Sequence, residues 1–303
     1  MKIVFMGTPD FAVSSLDILV QNDIEIAAVI TATDKPAGRG KKVMQSAVKR
    51  YALEKNLKIL QPKNLKSRRF LRELKALEAD LFIVVAFRML PAAVFEMPPL
   101  GCVNLHASLL PKYRGAAPIN WAVINGETQT GCTTFFIEQK IDTGKIIFQE
   151  TCDILPNETA GELHDKLMKM GANLMLNTVK ALEKSDFPEV EQSKDENLPT
   201  APKIFKETCE INFNQTTKQV FDFVRGMSPY PAAFTDLQGK KLKVFRAEKI
   251  ETKHEHEIGS FHTDGKKYLH FATKDGYIVV TELQLQGRKR MKTDAFLRGY
   301  KFK

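Results

Sequence analysis

The chain has 303 residues, of which 43% are hydrophobic and 27% are charged, and its formal net charge is +9. This is the composition of an ordinary globular protein, with enough apolar side chains for one large core and a second, smaller one. The first residues lack the apolar run and cleavage pattern of a signal peptide, and no stretch approaches the ~18 apolar residues of a membrane span. We therefore expect a cytoplasmic protein with no membrane partner.

The cysteines and histidines give no indication of a metal site. Four cysteines are scattered along the chain without a Cys-x-x-Cys pair: Cys102, Cys132, Cys152 and Cys209. This spacing is typical of reduced, buried thiols. His254 and His256 lie at strand spacing among charged residues, with no third candidate ligand nearby. We expect a solvated edge or loop there, and no bound metal.

In chain order, the N-terminal half alternates apolar strands with segments of helical periodicity. The predicted strands are residues 2–7, 24–31, 81–87, 102–106, 133–138 and 145–151. The predicted helices are residues 11–20, 45–55, 67–77, 117–125 and 159–182. The strand over 81–87 is apolar almost throughout, which indicates that both of its faces are covered. The pattern predicts a doubly wound, mainly parallel Rossmann-like α/β sheet in a first domain of residues 1–183.

The C-terminal part has a different pattern. Residues 184–206 combine prolines and charges with few aliphatic side chains, which is the composition of a linker. Residues 207–303 begin with a predicted helix at 216–227 and continue as short runs of alternating apolar and polar residues between glycines. This alternation predicts a second domain that is a small β-barrel or sandwich.

The positive charge is concentrated in the second domain. Residues 201–303 hold 20 Lys and Arg against 12 Asp and Glu, whereas residues 181–200 hold 2 against 6. Positive fields attract polyanions, most often nucleic acid, although many basic proteins bind nothing charged. The charge therefore makes nucleic acid a candidate partner without establishing it.

The segment NLHASLLPKYRGAAP, residues 104–118, contains the first candidate site. Asn104 and His106 are two residues apart on a predicted strand, so their side chains project from the same face. Open α/β sheets build their sites at the carboxyl ends of such strands. An amide and an imidazole directed at one point can stabilise the oxyanion of a carbonyl that becomes tetrahedral, a contact worth ~3 kcal/mol. A structural histidine gives the same pattern, and Asn-x-His alone does not separate the two.

Asp142 is the second candidate, in the Asp-Thr-Gly turn between two predicted strands. A carboxylate on this turn can reach across the edge of the sheet. If it meets His106, it orients the ring, favours its protonated form and offers a base for a proton released in the reaction. Asp-Thr-Gly is also ordinary turn chemistry, which is the competing interpretation.

A basic loop is the third candidate. Residues 34–50 include six basic residues, one acidic residue and two glycines. They stand where a strand-to-helix connection normally takes only ~2–6 residues. Such a loop suits phosphate contacts, and a solvated charged loop is the alternative. The segment GRKRMK, residues 287–292, has the same two interpretations.

Taken together, the motifs MGTPDFAV, DKPAGRGKKV, NLHASLLPKYRGAAPI and IDTGKI, in this order and spacing, resemble the methionyl-tRNA formyltransferase family. These are folate-dependent formyltransferases, and the resemblance extends over essentially the whole chain. It implies formyl transfer from 10-formyltetrahydrofolate to the α-amine of methionyl initiator tRNA. It also implies a C-terminal OB-like domain that binds tRNA; we expect a monomer and no metal.

The resemblance implies three groups of site residues. The catalytic set is Asn104, His106 and Asp142. The folate site is lined by Ser108, Leu109, Leu110 and Pro111. The loop that contacts tRNA contributes Arg39, Lys41 and Lys42. Apart from these groups, the chemistry of the segment SLLPKYRG leads us to expect that Lys112 and Arg114 are available to anionic groups of folate or RNA.

One segment departs from the family pattern. The family commonly has aromatic-Gly-x-x-Leu-Pro after the buried third strand, in a loop that borders the folate pocket. This chain has Phe87-Arg88-Met89-Leu90-Pro91, which is one residue shorter and lacks the glycine. The pterin contacts are therefore the part of the site that the resemblance does not define.

Two alternatives are compatible with parts of the pattern. A formyltransferase acting on a small amine, such as an amino sugar nucleotide, would have the same catalytic residues. The basic loop and the basic second domain argue against it. A non-catalytic RNA-binding protein on the same scaffold is disfavoured, because all three polar residues of the catalytic set are retained.

Overall fold

The computed structural model describes residues 1–37, 42–193, 195 and 197–302. The chain forms two compact units. The first comprises Met1–Arg114, Gly131–Cys152 and His164–Pro199, and the second comprises Gly115–Thr130, Asp153–Leu163 and Thr200–Lys303. Three segments contribute to each unit, so the units are not separated by one break in the chain. A functional division into residues 1–183 and 207–303 stays a prediction.

Up to residue 183, the predicted strands and helices all occur in the predicted order, together with five short elements that the periodicity did not indicate. Up to residue 183 they are β1 (Lys2–Gly7), α1 (Asp10–Gln21), β2 (Glu25–Ile30), β3 (Lys35–Ala37), β4 (Lys42–Met44), α2 (Ala47–Glu54), β5 (Ile59–Leu60), α3 (Arg68–Lys75), β6 (Leu81–Val85), α4 (Ala92–Phe95), β7 (Cys102–His106), β8 (Arg114–Gly115), α5 (Pro118–Ile124), β9 (Gln129–Phe136), β10 (Ile146–Asp153) and α6 (Ala160–Glu183). From residue 200 they are β11 (Thr200–Ala201), α7 (Thr217–Met227), β12 (Ala233–Leu237), β13 (Lys240–Glu251), β14 (Phe261–Thr263), β15 (Leu269–Ala272), β16 (Gly276–Leu285), β17 (Met291–Lys292) and α8 (Thr293–Arg298). Within the described ranges, no helix combines the length and the apolar character needed to cross a bilayer.

The first unit is built on a seven-stranded sheet in the order β10-β9-β7-β6-β1-β2-β5. Strands β5, β2, β1, β6 and β7 are parallel, and β9 runs antiparallel to β7. Every residue of β6 is buried, because the strand is covered on both faces. The mainly parallel, Rossmann-like sheet predicted from the sequence is confirmed.

The topology of this sheet determines where a site can form. Because β1, β6 and β7 are parallel, their carboxyl ends lie along one edge of the sheet. In an open α/β sheet, ligands bind at this edge. Strand β7 ends there at His106, with Asn104 paired to Val84 of β6.

The second unit is rich in antiparallel strands. Its six-stranded sheet has the order β12-β13-β16-β15-β14, with β17 paired to β16. Helix α7 begins with a capping box, in which the side chains of Thr216 and Gln219 each bond the other's backbone N–H. The apolar core of this unit includes Val220, Val224, Leu242, Val244, Leu283 and Phe296. The helix at 216–227 and the β-rich character of this region agree with the sequence prediction.

The stretch over residues 184–206 is more ordered than its composition indicates. Val190 forms an antiparallel bridge with Ile146 in the first unit. The side chain of Gln192 is buried, with the residue only 8% exposed. Part of this stretch is therefore packed rather than a free tether, because polar side chains can be buried when their hydrogen bonds are satisfied.

Candidate active site

Asn104 and His106 lie on one face of β7, as the alternation of a strand requires. His106 is buried, whereas Asn104 is half-buried. Within the described part of the chain, the side-chain amide of Asn104 has no hydrogen-bond partner. Its N–H groups and its oxygen are therefore available to a bound molecule.

The ring of His106 is fixed from two sides. Its Nε2 lies 2.8 Å from the backbone carbonyl oxygen of Tyr113. A carbonyl oxygen can only accept, so Nε2 carries a proton and donates it. The ring edge also contacts Phe135, with ring centroids 6.5 Å apart and planes at 87°. As a result, Nδ1 is the ring atom left for chemistry.

The carboxylate of Asp142 faces this nitrogen. Its Oδ2 lies 3.7 Å from His106 Nδ1, and its side chain is 15% exposed. Asp142 has a left-handed backbone, with φ of +55°. Two residues later, a Cβ on Gly144 would lie 1.8 Å from the carbonyl oxygen of Phe136. The Asp-Thr-Gly turn therefore needs glycine at 144, and it brings Asp142 to the carboxyl end of β7.

Two residues that the sequence interpretation did not assign to this turn hold it in place. Arg114 Nε and Gln192 Nε2 both donate to the backbone carbonyl of Asp142, at 3.0 and 3.1 Å. Gln192 Nε2 also donates to the carbonyl of Gly144 at 2.7 Å. Gln192 comes from a stretch with linker composition, 50 residues after Asp142. No local pattern could have indicated this contact.

Arg114 differs from its expected role. The sequence interpretation made it available to anionic groups of folate or RNA. In the structure its guanidinium donates to the Asp142 carbonyl, to Gln192 Oε1 and to the Ser193 carbonyl. These bonds use Nε and Nη2 of the guanidinium, so Arg114 shapes the turn that carries Asp142.

The loop after β7 is held by its own hydrogen bonds. Ser108 Oγ donates to the carbonyl of Lys112 at 2.7 Å. Thr133 Oγ1 donates to the Ser108 carbonyl and accepts from the Leu110 N–H. Gln149 Nε2 donates to the Leu110 carbonyl at 2.8 Å. Thr133 and Gln149, which the sequence interpretation did not assign to the site, therefore position this loop.

These bonds determine which of the predicted folate residues are exposed. Ser108 is fully buried, and Leu110 packs with Phe135 and Ile146. Leu109 and Pro111 are partly exposed. A ligand at this loop would therefore meet Leu109, Pro111 and backbone groups rather than the Ser108 hydroxyl or the Leu110 side chain.

The segment after β6, which departs from the family pattern, has a distinct conformation. Ala86 is left-handed, with φ of +47°. The guanidinium of Arg88 donates to the carbonyls of Pro62 and Lys63, and Met89 is 74% exposed. The side chain of Arg88 thus fixes a loop that has no glycine.

The basic loop is anchored at its base. Strands β3 and β4 pair antiparallel. Asp34 bonds Lys49 Nζ at 2.6 Å and Gln61 Nε2 at 2.8 Å, and these bonds lower the pKa of the Asp34 carboxyl. Arg39 and Lys41 lie outside the described residues, and of Lys42 only the backbone position in β4 is described.

Within the described ranges, no group of three or more His, Cys, Asp and Glu has the arrangement of a metal site. His254 and His256 lie in the loop after β13, as expected from the sequence, and His256 is exposed while His254 is partly buried. The ring of His256 stacks on that of His262 with centroids 3.8 Å apart, and His254 contacts Tyr277 at 4.6 Å. Thus the imidazoles form a packed group on the second unit.

Several solved structures share this fold. A sugar 3N-formyltransferase, WlaRD, crystallised with dTDP and 5-N-formyl-tetrahydrofolate, is 21% identical with a TM-score of 0.68 over 95% of this chain and 99% of that one. An N-formyltransferase from Helicobacter canadensis, in complex with folinic acid and dTDP-3-aminofucose, is 19% identical with a TM-score of 0.66 over 96% of this chain and 100% of that one. At these identities the likeness establishes the fold alone.

Sequence comparisons are more specific. The profile of the family "Formyl transferase" matches residues 1–179, and that of "Formyl transferase, C-terminal domain" matches residues 203–301. The methionyl-tRNA formyltransferase of Bacteroides thetaiotaomicron is 52% identical over 99% of this chain and 96% of its own length. Those of Parabacteroides distasonis and Flavobacterium johnsoniae are 55% and 50% identical, over 99% and 100% of this chain and 96% and 97% of their own lengths. The chain therefore belongs to the methionyl-tRNA formyltransferase family.

Proposed function

We propose that this chain transfers the formyl group of 10-formyltetrahydrofolate to the α-amine of methionine esterified to initiator tRNA, which prepares that tRNA for the initiation of translation. The observation that carries the proposal is the near full-length match, with 52% identity, to the Bacteroides thetaiotaomicron enzyme. The site on β7 supplies the polar groups that formyl transfer needs.

The reaction forms one bond and breaks another. The amine nitrogen attacks the formyl carbon, and the carbonyl oxygen becomes an oxyanion in a tetrahedral intermediate. The intermediate collapses by breaking the bond between the formyl carbon and N10 of the folate. The attacking nitrogen loses a proton, and N10 gains one. The enzyme must therefore stabilise an oxyanion and transfer a proton.

Asn104, His106 and Asp142 are suited to these two tasks. The unpartnered amide of Asn104 donates to the oxyanion. Because His106 Nε2 is committed to the Tyr113 carbonyl, Nδ1 is the atom that acts, as a donor when protonated. Asp142, facing Nδ1 at 3.7 Å, accepts the proton of the amine, either directly or through His106. Catalytic hydrogen bonds are often long before substrate binds.

The loop of residues 108–111 is the proposed folate site. Two observations support this proposal. The loop directly follows β7, and hydrogen bonds with Thr133 and Gln149 hold its backbone in place. The partly exposed Leu109 and Pro111 offer an apolar surface for a flat pterin. The solved structures of the same fold that were crystallised with folate derivatives add support for this class of donor.

The tRNA contacts are proposed for two regions. Arg39, Lys41 and Lys42 belong to the basic loop, whose length and charge suit phosphate contacts. The second unit, for which we propose an OB-like fold, would lay basic side chains along the tRNA backbone. We propose a monomer, with residues 1–183 catalytic and residues 207–303 binding tRNA.

A small-amine acceptor, such as an amino sugar nucleotide, is the competing substrate. Two N-formyltransferases of sugars share the fold at 21% and 19% identity, whereas the three methionyl-tRNA formyltransferases described above are 50–55% identical to this chain. The higher identity favours tRNA.

A formylation assay tests the proposal. The purified chain is given 10-formyltetrahydrofolate with methionyl initiator tRNA, uncharged tRNA, free methionine or an amino sugar nucleotide. We expect formyl product with the charged tRNA only. Product with the amino sugar nucleotide, and none with charged tRNA, would reassign the substrate.

A further inference from the structure

The second unit has an open cleft of about 480 Å³ that is lined by lysines. A second cleft, of about 360 Å³, shares three of them and continues along Gln284–Gly287. We call the two together the lysine groove. Its basic residues are Lys203, Lys206, Lys241 and Lys243.

The lysines of this groove form no ion pair in the described part of the chain. No Asp or Glu is among the residues that line either cleft. Over the described part of the chain, none of the four ammonium groups has a carboxylate within ion-pair distance. Lys241 Nζ lies 3.4 Å from the ring centroid of Phe234, and Lys243 Nζ donates to the Pro231 carbonyl at 3.3 Å. Four lysines along one groove, with no acidic residue in its lining, indicate a site for an anion with several charges.

The same groove presents large aromatic rings to solvent. Tyr230 is 83% exposed and Phe205 is 57% exposed, and both line the larger cleft. Lys203 Nζ lies 5.4 Å from the centre of the Phe205 ring, so a charge and an aromatic face are presented together. A single exposed apolar residue needs no explanation, but two exposed rings that line one cleft together are typical of a binding surface.

Lysines interleaved with exposed aromatic rings are the features that bind single-stranded nucleic acid. The cations hold the phosphates, and the rings stack on bases. Bases inside a duplex have their faces covered by their neighbours, so only unpaired nucleotides can use the rings. An acidic peptide would satisfy the lysines and leave the rings unused.

We propose that the lysine groove binds an unpaired segment of the tRNA substrate, with a base stacked on Tyr230, the more exposed of the two rings. The inference rests on the proposed function for the identity of the RNA. All residues that line the groove belong to the second unit.

The stacking is tested with a single-stranded RNA oligonucleotide that carries 2-aminopurine, whose fluorescence reports base stacking. We expect Tyr230→Ala to weaken binding about tenfold, the equivalent of about 1.4 kcal/mol, and to abolish the fluorescence change of the bound base. Tyr230→Phe keeps the ring and should restore both. Tyr268→Ala is the matched control, because Tyr268 is 37% exposed and does not line the groove.

The phosphate contacts are tested by the dependence of affinity on salt. Each lysine that neutralises a phosphate of a single strand contributes about −0.7 to the slope of log K against log salt. We expect Lys203→Gln and Lys206→Gln each to reduce the slope by about that amount. Lys274→Gln, an exposed lysine outside the groove, should leave the slope unchanged.

The outcomes separate this inference from the proposed function. If wild-type chain formylates methionyl-tRNA and Tyr230→Ala has an unchanged KM for that tRNA and unchanged oligonucleotide binding, the groove proposal is wrong and the function stands. If the chain binds the oligonucleotide through Tyr230 but formylates no tRNA, the groove stands and the function fails. Binding of poly-glutamate with no binding of the oligonucleotide would identify an acidic protein partner instead.

Discussion

Arg114 and Gln192 are joined by two hydrogen bonds although 78 residues separate them in the chain: Arg114 Nη2 and Nε both donate to Gln192 Oε1, at 2.6 and 3.1 Å. Together they hold the backbone carbonyl of Asp142. The carboxylate that faces His106 is thus positioned by contacts to its own main chain. Arg114 and Gln192 are positioning residues, since neither reaches the reacting atoms through a contact seen here.

The first prediction concerns Gln192→Leu. This change removes the donors to the Asp142 and Gly144 carbonyls, so the turn loses its fixed position. We expect kcat to fall by up to ~10², because small displacements of a catalytic group are costly, while KM for folate changes little. Steady-state kinetics, measured well below the unfolding temperature, check this.

Gln129→Leu is the matched control for this variant, because Gln129 is exposed and only weakly bonded. It should have wild-type kcat. A Gln192→Leu enzyme with a lower unfolding temperature but an unchanged kcat would show that Gln192 supports stability alone.

The shared face of Asn104 and His106 on β7 could be predicted from the sequence for a simple reason. The period of two on a strand places Asn104 and His106 on one face, whatever surrounds them. The turn that carries Asp142 could be recognised from Asp-Thr-Gly. The bonds of Arg114 and Gln192 to that turn could not, because they depend on how distant segments pack.

The second prediction contrasts Asn104→Ala with His106→Ala. Asn104 makes no side-chain hydrogen bond in the described part of the chain, so its loss should leave the free energy of unfolding nearly unchanged. We expect kcat to fall ~10²–10³-fold, as when an oxyanion donor is removed. His106→Ala should lower kcat by orders of magnitude and also destabilise the fold by about 1–3 kcal/mol, because it removes the buried bond to the Tyr113 carbonyl.

Urea unfolding and single-turnover kinetics on the same preparations measure both effects, and tRNA affinity should stay near wild type in each variant. A normal kcat for Asn104→Ala would show that Asn104 is not catalytic. It would also support the alternative hypothesis of a non-catalytic RNA-binding protein.

The third prediction concerns Gly144→Ala. The added Cβ would lie 1.8 Å from the Phe136 carbonyl oxygen, so the backbone of the turn must move. Because Asp142 is on the same turn, we expect both activity and thermal stability to decrease. Gly265→Ala is the control: its Cβ meets nothing within 4 Å, and its φ of +70° makes the change mildly strained without affecting the site. Equal losses of activity in the two variants would contradict the close approach.

Neighbouring residues of one sequence motif also differ in how exposed their side chains are. Ser108 to Pro111 form one sequence motif, yet the side chains of Ser108 and Leu110 are buried and those of Leu109 and Pro111 are partly exposed. The motif alone does not show whether a side chain contacts a ligand or packs inside the protein, because the same residue type is suited to either role. The same ambiguity affected Arg114, whose charge suggested a ligand and whose bonds are internal.

The fourth prediction concerns Arg39, which lies outside the described residues. Its position in a long basic loop motivates the expectation that Arg39→Ala raises KM for methionyl-tRNA more than KM for 10-formyltetrahydrofolate. Steady-state kinetics with each substrate varied in turn measure the two values. Arg50→Ala is the control, because it also removes one positive charge, but from helix α2. Equal effects of Arg39→Ala on both substrates would place the loop at the folate site.

The last prediction uses the imidazoles of the second unit. Burial, followed by the nearby charges of His256 and His254, lowers the pKa of His262. Burial and His262 lower the pKa of His270, against the opposing effect of Asp264. The folded chain therefore binds protons at these rings less readily than the unfolded chain, whose histidines have a pKa of about 6.5. This part of the stability is present above that pH and is lost as the pH falls through and below it.

We therefore expect the free energy of unfolding to decrease between pH 7.5 and pH 5.5, and the double variant His262→Gln/His270→Gln to have a weaker pH dependence over this range. Urea denaturation at several pH values measures both slopes. Other titrating groups contribute equally to the slopes of wild type and variant, so the difference between the two slopes reports on His262 and His270. Because the ring of His256 stacks on that of His262, the decrease should come with exposure of the 252–258 segment to proteolysis or hydrogen exchange. Identical slopes in the two proteins would mean that the packed rings are not linked to folding.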